Sequence, residues 1–230
     1  MYKNIGFIFA RGGSRGLPKK NIYPFLGKPL IQHTIEFAKS MNCFDAIFVS
    51  SDNKEILKIA ELNDLPIIKR PKYLSNSKSP EWKAWQHAIK YVNRHYGEFK
   101  TFVCLPTTSP LREKRDLLKG LKEFNKKNCD VCLSYTKSSK SPYFNMAFKN
   151  HYEYLKIIKK SLKLHHRQTS PVTLDLCTLF YILNPEFILR NNHLFEGKVK
   201  GIEIPKSRSI DIDDLQDLKI AEFLKTINNK

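Results

Sequence analysis

The chain has 230 residues, 41% of them hydrophobic, which is enough for the core of one large α/β domain spanning 1–230 and too little for a membrane protein. No apolar run approaches the ~20 residues of a transmembrane helix, and the first residues enter a strand-like run directly, so the expectation is a cytoplasmic protein with no membrane partner. The formal charge of +18 is spread as lysines over nearly every segment, which excludes a basic tail and fits solvated faces plus a cleft for small anions better than a nucleic-acid surface.

In chain order, residues 4–10 read as a buried strand, followed by a loop of glycine and basic residues through Asn21. Pro29 suits a first helical position, and Leu30, Ile31, Thr34, Ile35, Phe37 and Ala38 form an apolar face. A second strand is expected over 45–51, a helix capped by Asn53, and a short strand over 66–69. Pro80 opens a helix with Trp82, Trp85, Ala88, Ile89 and Val92 at helical spacing, a core face and not a base-stacking platform. A strand over 101–105 ends at Pro106-Thr107-Thr108-Ser109-Pro110. A helix over 114–125 and a strand over 130–135 follow. That strand contains Cys132, so the Cys129-x-x-Cys132 spacing reads as buried packing and not as a metal site, and the odd, irregular set of five cysteines is no disulfide framework.

From 136 to 166 the pattern becomes polar and lysine-rich with short β-like pieces, an excursion serving as a dimerisation arm or lid. Residues 175–183 return to the sheet. After Ile202-Glu203-Ile204 comes Ser209-Ile210-Asp211-Ile212-Asp213 and a last amphipathic helix, with Asp213 and Gln216 resembling a capping box. Strands alternating with amphipathic helices predict a three-layer, Rossmann-like α/β fold with a mostly parallel sheet.

Two segments carry chemistry. Ala10-Arg11-Gly12-Gly13-Ser14-Arg15-Gly16-Leu17-Pro18-Lys19-Lys20-Asn21 sits at the carboxyl end of a buried strand, where open α/β sheets bind ligands. Its glycines permit close backbone approach to a phosphate, and Arg11, Arg15, Lys19 and Lys20 supply positive charge. It lacks the Gly-Lys-Ser/Thr of a Walker loop. In Asp211-Ile212-Asp213, an extended backbone points both carboxylates to one side, where they can share a hard cation such as Mg²⁺. By itself a D-x-D is a weak signal that helix capping explains better, and its value comes from its company.

Together these blocks resemble the acylneuraminate cytidylyltransferases. The first block matches the family signature through Lys20-Asn21, and Thr108-Ser109-Pro110-Leu111-Arg112, Arg167-Gln168 with Pro171, and Ser209 to Asp213 are similar to three later blocks in the same order. Val49-Ser50-Ser51-Asp52 and Arg70-Pro71 also resemble the family pattern. The resemblance implies transfer of CMP from CTP to the anomeric hydroxyl of an acidic α-keto sugar, with release of pyrophosphate. It further implies that Arg11 and Lys20 hold the triphosphate and that Ala10, Gly12, Gly13, Ser14 and Arg15 form its loop. Asn21, Arg70 and Ser79 would lie by the nucleotide, and Asp211 and Asp213 would bind Mg²⁺. Thr108, Ser109, Arg167, Gln168, Asp175 and Tyr181 would face the sugar, and residues 136–166 would give a homodimer arm.

The sequence departs from the family at two places. Pro106 stands where the family carries glutamine, and Asp175-Leu176-Cys177-Thr178-Leu179 replaces an Asn-Gly-Ala run preceded by arginine. Both face the sugar side. A related nucleotidyltransferase using another triphosphate or a sugar 1-phosphate, and a non-catalytic basic binding protein, stay open from the residues alone.

Overall fold

The computed structural model describes residues 2–14, 16–76, 78–160 and 170–228. A seven-stranded sheet runs in the order β11 (Val199–Glu203), β7 (Val131–Lys137), β10 (Leu174–Leu183), β6 (Phe99–Cys104), β1 (Tyr2–Phe9), β4 (Ala46–Ser51), β5 (Ile67–Lys69). Every neighbouring pair is parallel except those made by β10, which runs antiparallel to both β6 and β7. The mostly parallel, doubly covered sheet expected from the alternating pattern is therefore observed.

Side chains of β1 divide by parity between the two faces of this sheet. Ile8 and Ala10 join one core cluster with Ile31 and Ile35 of α1 (Leu30–Lys39), Ile56 of α2 (Lys54–Leu62) and Leu117 and Leu121 of α4 (Lys114–Phe124). Ile5 and Phe7 join the other with Trp82, Trp85 and Ile89 of α3 (Glu81–His95) and Ile188 of α5 (Pro185–Arg190). Central strands buried on both faces explain the near-continuous apolar runs in the sequence. Trp82 and Trp85 are 7% and 3% exposed, so they are core residues, as their spacing predicts. Helix α5 was not anticipated, although Asn184 caps it by accepting from the Glu186 N–H at 2.9 Å and Pro185 fills its first turn.

A third apolar cluster lies under the loops at the carboxyl edge of the sheet. Leu17, Phe25 of the small β2 (Pro24–Phe25) and β3 (Lys28–Pro29) ribbon, Leu111, Ile212, Leu218 and Ala221 of α6 (Leu215–Asn228) pack together there. It fixes the loop after β1 against the segment before α6. That segment is capped differently from the expectation. Asp217, not Gln216, accepts from the backbone N–H of Asp213 and Asp214, and Asp214 accepts in return from the Asp217 N–H at 2.9 Å. The Asp213 side chain takes no part in that cap.

Between β7 and β10 the chain leaves the main sheet. Strands β8 (Ala147–Lys149) and β9 (Leu155–Ile157) form a separate two-stranded sheet. Phe148, Tyr152, Tyr154, Leu155 and Ile158 are exposed on this arm.

Candidate active site

The loops that follow β1, β4, β5 and β6 meet at one edge of the sheet, and β10 enters from the opposite direction. They enclose a cleft of 470 Å³ lined by Arg11, Lys20, Arg70, Tyr181, Asp211 and Asp213 among others. Ser14, Asn21, Ser79 and Thr108 line it as well. Ten of the expected site residues are therefore brought to one place, from segments as far apart in the chain as Arg11 and Asp213.

The two informative segments touch. Lys20 Nζ donates to Asp213 Oδ1 at 2.8 Å and to the Ile212 carbonyl at 2.7 Å. Gly16 is needed for that contact, because a Cβ there would lie 2.2 Å from the Asp213 carbonyl oxygen. Gly12 is similarly restricted, since a Cβ would stand 2.9 Å from Asn53 Cβ. The glycines were expected to bring their N–H groups to a phosphate, yet the Gly12 N–H donates inward to Asp52 Oδ1 at 3.0 Å. Two of the three glycines thus serve close protein packing. Lys19 was grouped with the phosphate cations, but its backbone is left-handed (φ 53°) and its side chain turns out to Glu55 at 3.6 Å. That turn is what sends Lys20 inward.

Asn21 is buried and joins two walls of the cleft. Its Nδ2 donates to the Arg11 carbonyl at 2.9 Å, and its Oδ1 accepts from the Thr107 hydroxyl. One N–H and one lone pair of the amide remain for a ligand. Arg70 is anchored through Ser50, donating to its carbonyl at 2.7 Å and to its hydroxyl at 3.2 Å. Its guanidinium lies 5.5 Å from the Phe9 ring centre, a cation–π contact. Burial lowers the Arg70 pKa from its usual value, and nearby Glu81 and Asp52 oppose that shift.

Asp211 and Asp213 sit in different surroundings. Asp211 Oδ1 is buried with no hydrogen-bond partner, and burial raises this carboxyl above the usual range, opposed by the Thr108 and Thr178 hydroxyls. Asp213 is 76% exposed at its side chain. The Ile212 N–H donates to the Thr108 carbonyl at 2.9 Å, which ties the acidic segment to the loop after β6. Among the described residues no group of three or more His, Cys, Asp or Glu side chains is placed to hold a metal. Two carboxylates facing one anion-binding cleft, one with an unsatisfied oxygen, nonetheless fit Mg²⁺, which takes one or two carboxylates and completes its shell with water and substrate phosphates.

On the side expected to face the sugar, Pro106, Thr107, Thr108, Thr178 and Tyr181 line the cleft. Ser109 is fully buried and its hydroxyl lies 2.7 Å from that of Thr178, so it supports Thr178 from behind. Thr178 and Tyr181 differ by an odd number of positions and in a regular strand would face opposite ways. The register of β10 against β7 shifts between Cys177 and Tyr181, and this irregularity lets both reach the cleft. Burial raises the Tyr181 hydroxyl pKa well above its usual value. Asp175 does not join the site: it is exposed, paired with Thr136 near the outer end of β10. Ala10, Gly12 and Gly13 are not among the lining residues, while Arg15, Arg167 and Gln168 lie outside the described residues. Glu81 lines the cleft and was not anticipated, because an acid just after Pro80 reads as an ordinary first-turn helix residue.

The sequence profile of the cytidylyltransferases matches residues 5–171. The post-translational flagellin modification protein B of Campylobacter coli is 31% identical over 94% of this chain and 92% of its own length. A pseudaminic acid cytidylyltransferase of Campylobacter jejuni is 30% identical over 99% of this chain and 98% of its own. Among solved structures, a CMP:2-keto-3-deoxy-manno-octonic acid synthetase complexed with CTP superposes with a TM-score of 0.70 at 15% identity, covering 98% of this chain and 99% of the other. With a basic loop and an acidic pair joined in one cleft on the same fold, and with a family match over most of its length, the chain belongs to the cytidylyltransferases.

Proposed function

We propose that this chain transfers CMP from CTP to the anomeric hydroxyl of an acidic α-keto sugar of the nonulosonate class, releasing pyrophosphate. The observation that carries this reading is the junction of Lys20 with the Asp211–Asp213 segment, 2.8 Å from Nζ to Asp213 Oδ1, inside the cleft that Arg11 and Arg70 also line. Nucleotidyl transfer asks for positioning and charge neutralisation more than covalent catalysis. The sugar hydroxyl oxygen bonds to the α-phosphorus and gives up its proton to water, the bond from that phosphorus to the bridging oxygen breaks, and pyrophosphate leaves with the electron pair.

In this reading Arg11 and Lys20 neutralise the triphosphate, with Ser14 and Arg15 supporting the loop. Asn21, Arg70 and Ser79 position the nucleotide. Asp211 and Asp213 would hold Mg²⁺, which when bound supplies charge neutralisation at the phosphates and a lowered pKa for the attacking hydroxyl. Thr108 and Tyr181 face the sugar, supported by Ser109, and Arg167 and Gln168 are retained for its carboxylate from the family resemblance. The activity is placed in the cytoplasm, where nucleoside triphosphates are made, and the β8–β9 arm is assigned to a homodimer contact.

The relative named for pseudaminic acid supports a sugar other than N-acetylneuraminate, as does Pro106, which offers no side-chain donor or acceptor on the sugar side. Asp175, exposed outside the cleft, no longer contributes to that argument. The test measures pyrophosphate release with each of CTP, ATP, GTP and UTP, against N-acetylneuraminate, diamino nonulosonates, deaminated nonulosonate and 3-deoxy-octulosonate. CTP with a diamino or other non-neuraminate sugar should give the highest kcat/KM, and loss of a matched hydrogen bond can separate substrates by ~10⁴-fold. Equal rates with all four triphosphates would remove the cytosine assignment, and efficient use of N-acetylneuraminate would remove the sugar preference alone.

A further inference from the structure

The cleft contains one carboxylate that neither a metal nor a helix cap accounts for. Glu81 occupies the first turn of α3 and lines the cleft together with Arg70, Tyr181 and Asp211. It is exposed to the solvent that fills the cleft. A negative charge there opposes binding of a triphosphate and an acidic sugar unless it meets a hydrogen-bond donor.

The surroundings of Glu81 are those of a receptor for such a donor. One helical turn on, Trp85 is 3% exposed and its indole N–H is buried without a hydrogen bond of good geometry, lying on the Glu81 side. Tyr181 packs on that indole with ring centres 5.5 Å apart, and Phe9 lies 6.3 Å from it on another side. Arg70 sits over Phe9, and its charge is the leading influence favouring ionised Glu81 against a burial that raises the carboxyl pKa. Arg70 donates to Ser50 through Nε and one terminal nitrogen, and no hydrogen bond joins it to Glu81 among the described contacts. The carboxyl group is therefore set beside aromatic rings and left with acceptor capacity facing the ligand space.

We propose that Glu81 is a specificity-determining residue that accepts a hydrogen bond from a neutral hydroxyl or N–H group of a bound substrate. The inference rests on the cytidylyltransferase reading above. The donor belongs either to the nucleotide, whose cytosine amine and ribose hydroxyls are N–H and O–H donors, or to the sugar, whose hydroxyl and amide groups offer the same chemistry. An anionic group is excluded at this position by repulsion.

The test compares the wild-type enzyme with Glu81→Gln and Glu81→Ala. KM and kcat are measured with CTP varied at saturating sugar and then the reverse, and Kd for CTP and for the sugar is measured directly by calorimetry. Glu81→Ala should raise KM and Kd for one substrate by about tenfold or more, with kcat within threefold, because a hydrogen bond to a charged acceptor is lost. Glu81→Gln keeps an acceptor oxygen and should recover much of that loss. A shift confined to CTP assigns the donor to the nucleotide, and one confined to the sugar assigns it there. Unchanged KM and Kd for both substrates would overturn the inference, as would a fall in kcat alone or no rescue by Gln. Wild-type enzyme that releases no pyrophosphate from CTP would instead overturn the cytidylyltransferase reading, and the calorimetric arms still judge Glu81 in that case.

Discussion

At the scale of single residues, the site is organised around Lys20. Its side chain is 13% exposed and bridges the loop after β1 to the acidic segment, so it has both a positioning and an electrostatic part in the proposed reaction. Replacing Lys20 or Arg11 by Ala should lower kcat/KM about a hundredfold or more, whereas Lys119→Ala, on the exposed face of α4, should leave it unchanged. Steady-state rates with melting curves as a folding control check this, and equal losses at all three positions would strip the loop of its role. The acidic pair separates function from stability more sharply. Asp211→Asn should cut turnover by about a hundredfold or more while leaving the melting temperature unchanged or higher, since it removes the charge from a buried, unsatisfied oxygen. Asp213→Asn should cost little stability, because the Asp213 side chain is largely exposed, and should still lower turnover. Full activity in both variants with Mg²⁺ would exclude them as ligands.

Elements place these side chains through contacts that periodicity does not reveal. Arg208 stands three positions before Asp211 and donates to both oxygens of Asp116, at 2.7 and 3.2 Å, in the first turn of α4. Both side chains are buried, 9% and 4% exposed, and Glu113 lies 3.3 Å from the same guanidinium. Removing one partner of such a pair leaves an uncompensated buried charge. Arg208→Ala should therefore destabilise the fold by about 3–5 kcal/mol in urea denaturation. A loss under 1 kcal/mol would mean that Asp116 is readily hydrated there. Strand β10 makes the complementary point, for its shifted register converts two positions of opposite parity into neighbours in one cleft.

For the whole molecule, binding and assembly are the measurable consequences. CTP with Mg²⁺ at a hundredfold excess over its Kd should stabilise the protein by about 2.7 kcal/mol, with ATP, GTP and UTP much weaker. Equal shifts with all four would contradict the nucleotide assignment. The β8–β9 arm exposes Phe148, Tyr154 and Leu155, an apolar set that water disfavours. If the proposed homodimer forms through this arm, Leu155→Glu should convert it into a monomer by light scattering with the melting of the core unchanged, and an unaltered mass would remove that assignment.

The sequence by itself determined the strand and helix order, because burial on both faces of a parallel sheet and on one face of each covering helix leaves apolar runs and helical spacings that are local. The resemblance to a reaction family was legible there too, because a loop of glycine and basic residues and a D-x-D pair are contiguous in the chain. Tertiary structure alone decided which of those residues share a cleft. The turn at Lys19 sent Lys20 inward, the irregularity in β10 brought Thr178 beside Tyr181, and Asp175 fell outside the site. Glu81 and Arg208 entered the account only through neighbours far away in sequence, Arg70 and Asp211 for the first and Asp116 for the second. Charges act through space over a few ångströms, and the chain order does not record which charges will lie that close.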